Sequence, residues 1–168
     1  GKKSENGYSC DDLINFKNIF TKMGVTCEYI DLVNFLNKGV ISEDFREEAG
    51  ILIVRNFLNC SNIDYNGLIN ELNVLEWDKK AYMYGKVVNK NARHNLCFSD
   101  FDQIPDYENG KGRVVDFSKL KLLSECRKKL EEFLGEKASK LYAEGNLYYD
   151  VSKCYIGWHG DTERSKVI

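Results

Sequence analysis

The stretch Gly145-Asn146-Leu147-Tyr148-Tyr149-Asp150, followed by Ile156-Gly157-Trp158-His159-Gly160-Asp161-Thr162-Glu163-Arg164, decides the reading of this chain of 168 residues. It sets an imidazole and a carboxylate two residues apart at the end of a β-like run. Successive strand residues point to opposite faces, so His159 and Asp161 share a face and can grip one metal ion, with Gly160 leaving room between them. The same alternation puts Asn146 and Tyr148 on one face.

Working outward, the composition bounds the rest. With 168 residues and 43% hydrophobic content, the chain can build one substantial core, or one core plus an edge subdomain. Its net charge of -2 advertises no global basic field for nucleic acid. A local basic patch (Lys79, Lys80, Lys86, Lys90, Arg93) stands against the commoner explanation of a solvated strand-and-loop face. Six cysteines (Cys10, Cys27, Cys60, Cys97, Cys126, Cys154) are widely scattered, with no C-x-x-C pair and nothing that reads as a signal peptide. Reduced thiols and an intracellular location, cytoplasmic or nuclear, are the expectation. No apolar run approaches the ~20 residues that span a bilayer, so no membrane partner is expected.

Periodicity divides the chain into elements. Asp11 or Ser9 can cap a helix carrying Leu13, Ile14, Phe16, Ile19, Phe20 and Met23, stopped at Gly24. A shorter helix is expected over 29–36, ending near Gly39, and Ser42-Glu43-Asp44-Phe45 starts an acidic turn. Residues 50–58 form a β-branched apolar run, most simply a buried strand. Residues 64–72 suit a helix with Leu68, Ile69 and Leu72 inward. The period then changes to two over 82–88 and 95–98, which read as strands. Residues 101–112, with Pro105 and the Asn109-Gly110 turn, form a loop or hairpin tip. Ser118 is expected to cap the clearest helix, whose stripe is Leu120, Leu123, Cys126, Leu130, Phe133 and Leu134, ended by Gly135. A last helical turn over 138–142 precedes strands around 146–149 and 155–158. The class is α+β, with helices buttressing one face of a largely antiparallel sheet.

Together, Asn146-x-Tyr148 and Ile156-Gly157-Trp158-His159-Gly160-Asp161-x-Glu163 resemble the AlkB-like branch of the iron(II)/2-oxoglutarate dioxygenases. That family sets an N-x-Y about a dozen residues before an H-x-D. Here Asn146 and His159 are thirteen apart, one more than usual, which a loop after Asp150 can absorb. Residues 50–58 resemble the strand that opens the family's core. Ala92-Arg93-His94-Asn95-Leu96-Cys97-Phe98-Ser99-Asp100 resembles its P-R-x-x-x-x-aromatic-G-[DE] segment, with Ala92 and Ser99 as departures. Asp161-Thr162-Glu163-Arg164 likewise departs from the D-D-E of the nucleic-acid repair members.

The resemblance implies the N-terminal portion of a double-stranded β-helix, a jelly-roll or cupin-like core with supporting helices. It covers residues 50–168, with 1–49 as a helical extension that has no counterpart. It implies Fe(II) held by His159 and Asp161 as two members of a 2-His-1-carboxylate triad. Asn146 and Tyr148 would bind 2-oxoglutarate, whose oxidative decarboxylation with dioxygen drives hydroxylation or demethylation of a substrate, a modified nucleobase, a protein side chain and a small molecule being the candidates. The family's second histidine and its 2-oxoglutarate-binding arginine normally lie tens of residues after the H-x-D. The chain closes on Lys166-Val167-Ile168, which reads as a strand just starting. A C-terminal continuation, or a second chain, is therefore expected to complete the site.

Several residues keep two readings. Arg93 contacts an anionic substrate or pairs with Asp100. Tyr82 and Tyr84 stack a nucleobase or pack as ordinary strand aromatics. Trp158 is a core or lid residue in preference to a substrate stacker. Glu163 and Arg164 support the metal site or form a surface ion pair. The alternative to an enzyme is a catalytically incomplete relative acting as a protein- or nucleic-acid-binding module.

Overall fold

The computed structural model describes residues 7–36, 48–159 and 167–168. These residues form an α+β arrangement with three small sheets, ordered β1-β2, β3-β4 and β6-β5-β7. None of the three closes on itself. No helix among the described residues is long and apolar enough to cross a membrane.

Helix α1 spans Cys10–Lys22, and its cap is Ser9 rather than Asp11. The Ser9 hydroxyl accepts the Asp12 N–H (3.1 Å) while the Asp12 carboxylate accepts the Ser9 N–H (2.9 Å), a reciprocal capping box. Gly24, at φ +80°, ends the helical run where a Cβ would be strained.

The helix expected over 29–36 is only half right. Cys27–Asp31 is strand β1, and α2 is the short Leu32–Leu36. Strand β1 pairs antiparallel with β2 (Gly50–Val54), Tyr29 opposite Leu52. The pairing joins residues on either side of position 49. Gly50 admits the Tyr29 ring, whose hydroxyl would lie 2.6 Å from any Cβ there. The expected strand over 50–58 stops early, because Asn56 turns left-handed (φ 53°) and Phe57–Cys60 forms α3. Nor is it fully buried, since a two-stranded sheet leaves Ile51 on the surface. The acidic turn expected at 42–45 and Gly39 lie outside the described residues.

Helix α4 (Tyr65–Asn73) is capped by Asp64, with Leu68 buried. Ile69 faces outward, a correction to its expected inward place. The strand expected over 82–88 is instead a hairpin of β3 (Lys80–Met83) and β4 (Lys86–Asn89). Its two-residue loop is Tyr84-Gly85, both at positive φ (54° and 76°), as twist-matched hairpin turns require.

Strand pairing is largely antiparallel, as expected, and the sheet that organises the core is mixed. Strand β5 (His94–Ser99) runs parallel to β6 (Val114–Asp116) and antiparallel to β7 (Ala143–Leu147). On one face of β5, Leu96 and Phe98 are buried with Phe117 and Leu120, and Trp77, Leu123 and Ala143 pack against them. The loop over 101–112 is as expected, closed by a 3-10 turn at Tyr107–Asn109 and by Gly110 at φ +70°.

Helix α5 covers Lys121–Leu134 and ends at Gly135 as expected, but Ser118 does not cap it. Ser118 sits in a preceding 3-10 turn (Phe117–Lys119), and Glu71 of α4 supplies the acceptors for the first turn of α5 instead. Phe133 near its far end meets Phe20 of α1 (5.1 Å) and Phe57 of α3 (6.0 Å), tying the N-terminal elements to the same helix. Glu136–Ala138 is a 3-10 turn in place of the helical turn expected over 138–142. Residues 155–158 adopt no strand, although the Tyr155 N–H reaches the Ala92 carbonyl (3.2 Å).

Candidate functional site

Strand β7 pairs with β5 and, at its second edge, with no other described strand. A cavity of about 600 Å³ runs along that edge. Its walls are β7 (Glu144, Asn146), α5 (Arg127, Leu130) and the returning chain (Ile156, His159), with Arg93 at the start of β5. Along β7, Ala143 and Gly145 turn to the core, where Gly145 lies against Trp77 and Phe98, and Glu144 and Asn146 turn the other way; Ala143, with Phe117 and Leu123 of the core, also reaches the cavity.

The β5–β7 register sets Asn95 directly opposite Asn146. Two donors converge on the Asn146 side-chain oxygen: Arg93 Nε (2.7 Å) and Asn95 Nδ2 (2.5 Å). The Arg93 Nε–H can only donate, so the Asn146 atom facing it must be oxygen, which turns the Asn146 N–H₂ away from β5. Asn95 Nδ2 also reaches Glu144 Oε1 (3.3 Å), fixing its own amide in the donor orientation.

The chain reaches His159 through a turn after Asp150. The Asp150 carbonyl accepts the N–H groups of Lys153 (3.1 Å) and Cys154 (2.8 Å). The Asp150 carboxylate accepts the Ser152 N–H and hydroxyl and pairs with Lys153, contacts that hold its carboxyl below the usual carboxylate range, Ser152 contributing most. This turn occupies the interval between Asn146 and His159. Tyr149 is strapped back by its hydroxyl to the Asn91 carbonyl (3.2 Å) and stacks on His94 at 4.1 Å and 15°. That stack gives His94 a packing partner, and burial, followed by Lys79 and Lys90, lowers its pKa.

His159 Nδ1 lies 2.8 Å from the Gly157 carbonyl. A carbonyl cannot donate, so in this contact Nδ1 carries the proton. A backbone contact at Nδ1 of this kind orients histidines that bind a metal through Nε2. Asp161 lies outside the described residues, as do Glu163 and Arg164. Among the described residues, no three His, Cys, Asp or Glu side chains cluster as a metal site.

The sequence candidates therefore divide. Asn146, His159 and Arg93 line one cavity. Tyr148 follows the end of β7, half-exposed, and is not part of the cavity lining. Tyr82 and Tyr84 belong to the β3–β4 hairpin and do not line it either, Tyr84 being 90% exposed at the turn. The core reading of Trp158 is overturned, since its side chain is 107% exposed. The pairing of Arg93 with Asp100 is likewise corrected: Asp100 is bridged by Arg127 through two bonds (2.5 and 3.0 Å), which lower its pKa. Arg127 also lies over the Phe117 ring at 4.4 Å. Reading the sequence missed Arg127, Glu144 and Asn95. The last two are implied by alternation and register around Asn146; Arg127 comes from a helix whose angle of approach no local signal gives.

None of the six cysteines is joined in a disulfide among the described residues. No family model and no solved structure matches the chain. Along its whole length the chain is 45% identical to an uncharacterized protein of Acanthamoeba polyphaga mimivirus. It spans 64% of that protein's length.

Proposed function

We propose that the chain forms one wall of the pocket of an AlkB-like Fe(II)- and 2-oxoglutarate-dependent dioxygenase, built on part of a double-stranded β-helix. The observation that carries this reading is the meeting of Asn146 and His159, with Arg93, on one cavity. Chance occurrence of the two motifs does not require them to share a pocket.

His159 offers Nε2 as a metal ligand, its ring held by the Gly157 carbonyl. Asp161 is the second ligand by its spacing. Asn146 offers an N–H₂ donor suited to a carboxylate of 2-oxoglutarate. The metal, when bound, supplies dioxygen activation coupled to oxidative decarboxylation of 2-oxoglutarate to succinate. The remaining histidine and arginine are proposed to come from polypeptide outside these 168 residues, and a modified nucleobase is the first substrate to try.

The test is iron-dependent formation of succinate from 2-oxoglutarate by the full-length protein, abolished by His159→Ala. A His159→Ala protein that keeps the turnover overturns the assignment. A second reading, a catalytically incomplete relative that binds protein or nucleic acid, is favoured by the exposure of Tyr155, Ile156 and Trp158 on the returning chain. It expects neither succinate nor iron uptake.

A further inference from the structure

Asn95 touches no cavity atom of its own, yet one nitrogen of its amide bonds two residues that do. Its Nδ2 donates to Asn146 Oδ1 at 2.5 Å and to Glu144 Oε1 at 3.3 Å. Arg93 Nε adds a second donor to the same Asn146 oxygen, at 2.7 Å. An asparagine amide without neighbours presents its oxygen or its nitrogen to a pocket with little preference, because rotation about its last torsion is broad. Here two donors leave only one orientation, and the reverse one would set N–H against N–H at Arg93.

We propose that Asn95 and Arg93 are positioning residues: they lock the Asn146 amide with its oxygen turned inward, so that its N–H₂ faces the cavity as a fixed donor for a carboxylate. This rests on the 2-oxoglutarate reading above. Preorganisation of this kind matters because a carboxylate meeting the amide oxygen is repelled, so every flipped molecule is lost to binding. Asn95 also couples the two cavity residues of β7, since a displaced Glu144 pulls on the same amide.

The experiment uses the full-length protein with Fe(II) under anaerobic conditions. Calorimetry reads 2-oxoglutarate affinity, and ¹H–¹⁵N spectra read the Arg93 Nε–H and the Asn146 side-chain amide. Asn95→Ala is expected to move the Asn146 amide resonances and to weaken 2-oxoglutarate about tenfold, the scale of lost outer-shell support. Asn95→Asp, nearly the same shape but an acceptor facing Glu144 and the Asn146 oxygen, is expected to weaken it further. Both variants are expected to keep the wild-type fold by circular dichroism, and in separate aerobic turnover assays kcat at saturating 2-oxoglutarate is expected to fall far less than KM rises. Asn146→Ala is expected to shift the Arg93 Nε–H. If Asn95→Ala binds 2-oxoglutarate as tightly as wild type, or leaves the Asn146 amide unmoved, the positioning role is overturned alone. If wild-type protein shows the expected resonances but binds no 2-oxoglutarate, the donor assignment falls together with the dioxygenase reading.

Discussion

The Glu71 carboxylate accepts the backbone N–H of Leu122 through both oxygens, at 2.9 and 3.1 Å, across 51 residues of sequence. A second acceptance from Leu123 at 2.9 Å completes a tertiary cap on α5. A carboxylate at a helix N-terminus satisfies orphan donors and meets the positive end of the helix dipole. Glu71→Ala is therefore expected to cost ~1–2 kcal/mol, in line with lost caps elsewhere. Urea denaturation measures it, and Glu71→Gln, which keeps one acceptor, should lose less.

Gly145 sits between the two cavity residues of β7, with its α-carbon turned to the core. A Cβ there would lie 2.7 Å from Trp77 Cη2 and 2.9 Å from Cζ3. Trp77 cannot swing away freely, because its indole N–H is bonded to the Leu72 carbonyl (3.1 Å). Gly145→Ala is expected to destabilise the fold by ~1–3 kcal/mol through overpacking. It should also weaken 2-oxoglutarate binding, since β7 carries Asn146. A neutral Gly145→Ala would show that the Trp77 contact yields easily.

Leu96 is 0% exposed at the centre of the β5 core face. Truncation to alanine removes its packing against Phe98, Phe117 and Leu120. Leu96→Ala is expected to cost ~2–5 kcal/mol, read as a fall in the denaturation midpoint with little change in slope.

His94 gives the fold a pH dependence of known sign. Burial, then Lys79 and Lys90, keep its folded pKa below the ordinary imidazole value. In the unfolded chain the ring titrates near ~6.5. As the pH drops through that value the unfolded state gains a proton that the folded state refuses, so stability falls until the folded pKa is reached. Above the unfolded pKa the contribution is complete. Thermal melts between about pH 7 and pH 5 should show this slope in wild type, and His94→Phe, which keeps an aromatic face for Tyr149, should flatten it.

Local signals were legible where the chain answers to its neighbours in sequence. Ser9 and Gly24 bracket α1, Asp64 opens α4 and Gly135 closes α5, because caps and left-handed stops act over three or four residues. The 82–88 run misled because Tyr84-Gly85 carries no strong turn signature, and a tyrosine at positive φ is not an obvious hairpin residue. The 29–36 segment misled because Tyr29 and Ile30 suit either period until β2 arrives as a partner. Of the candidate site, Asn146, His159 and Arg93 were readable from motif spacing. Tyr82, Tyr84 and Trp158 were not separable from them by residue type, since an aromatic reads alike in a pocket, a turn or solvent.

By itself the sequence determined the start and stop of α1, the opening of α4 and the stop of α5, all of which arise from chemistry within a few residues. Only the tertiary structure decided that Glu71 caps α5, that Asp100 belongs to Arg127, and that Arg93 and Asn95 converge on the Asn146 amide. Each of those joins residues 27 to 53 positions apart. Side-chain hydrogen bonds form wherever packing brings donor and acceptor within about 3 Å, and that approach is set by the core, not by neighbours along the chain.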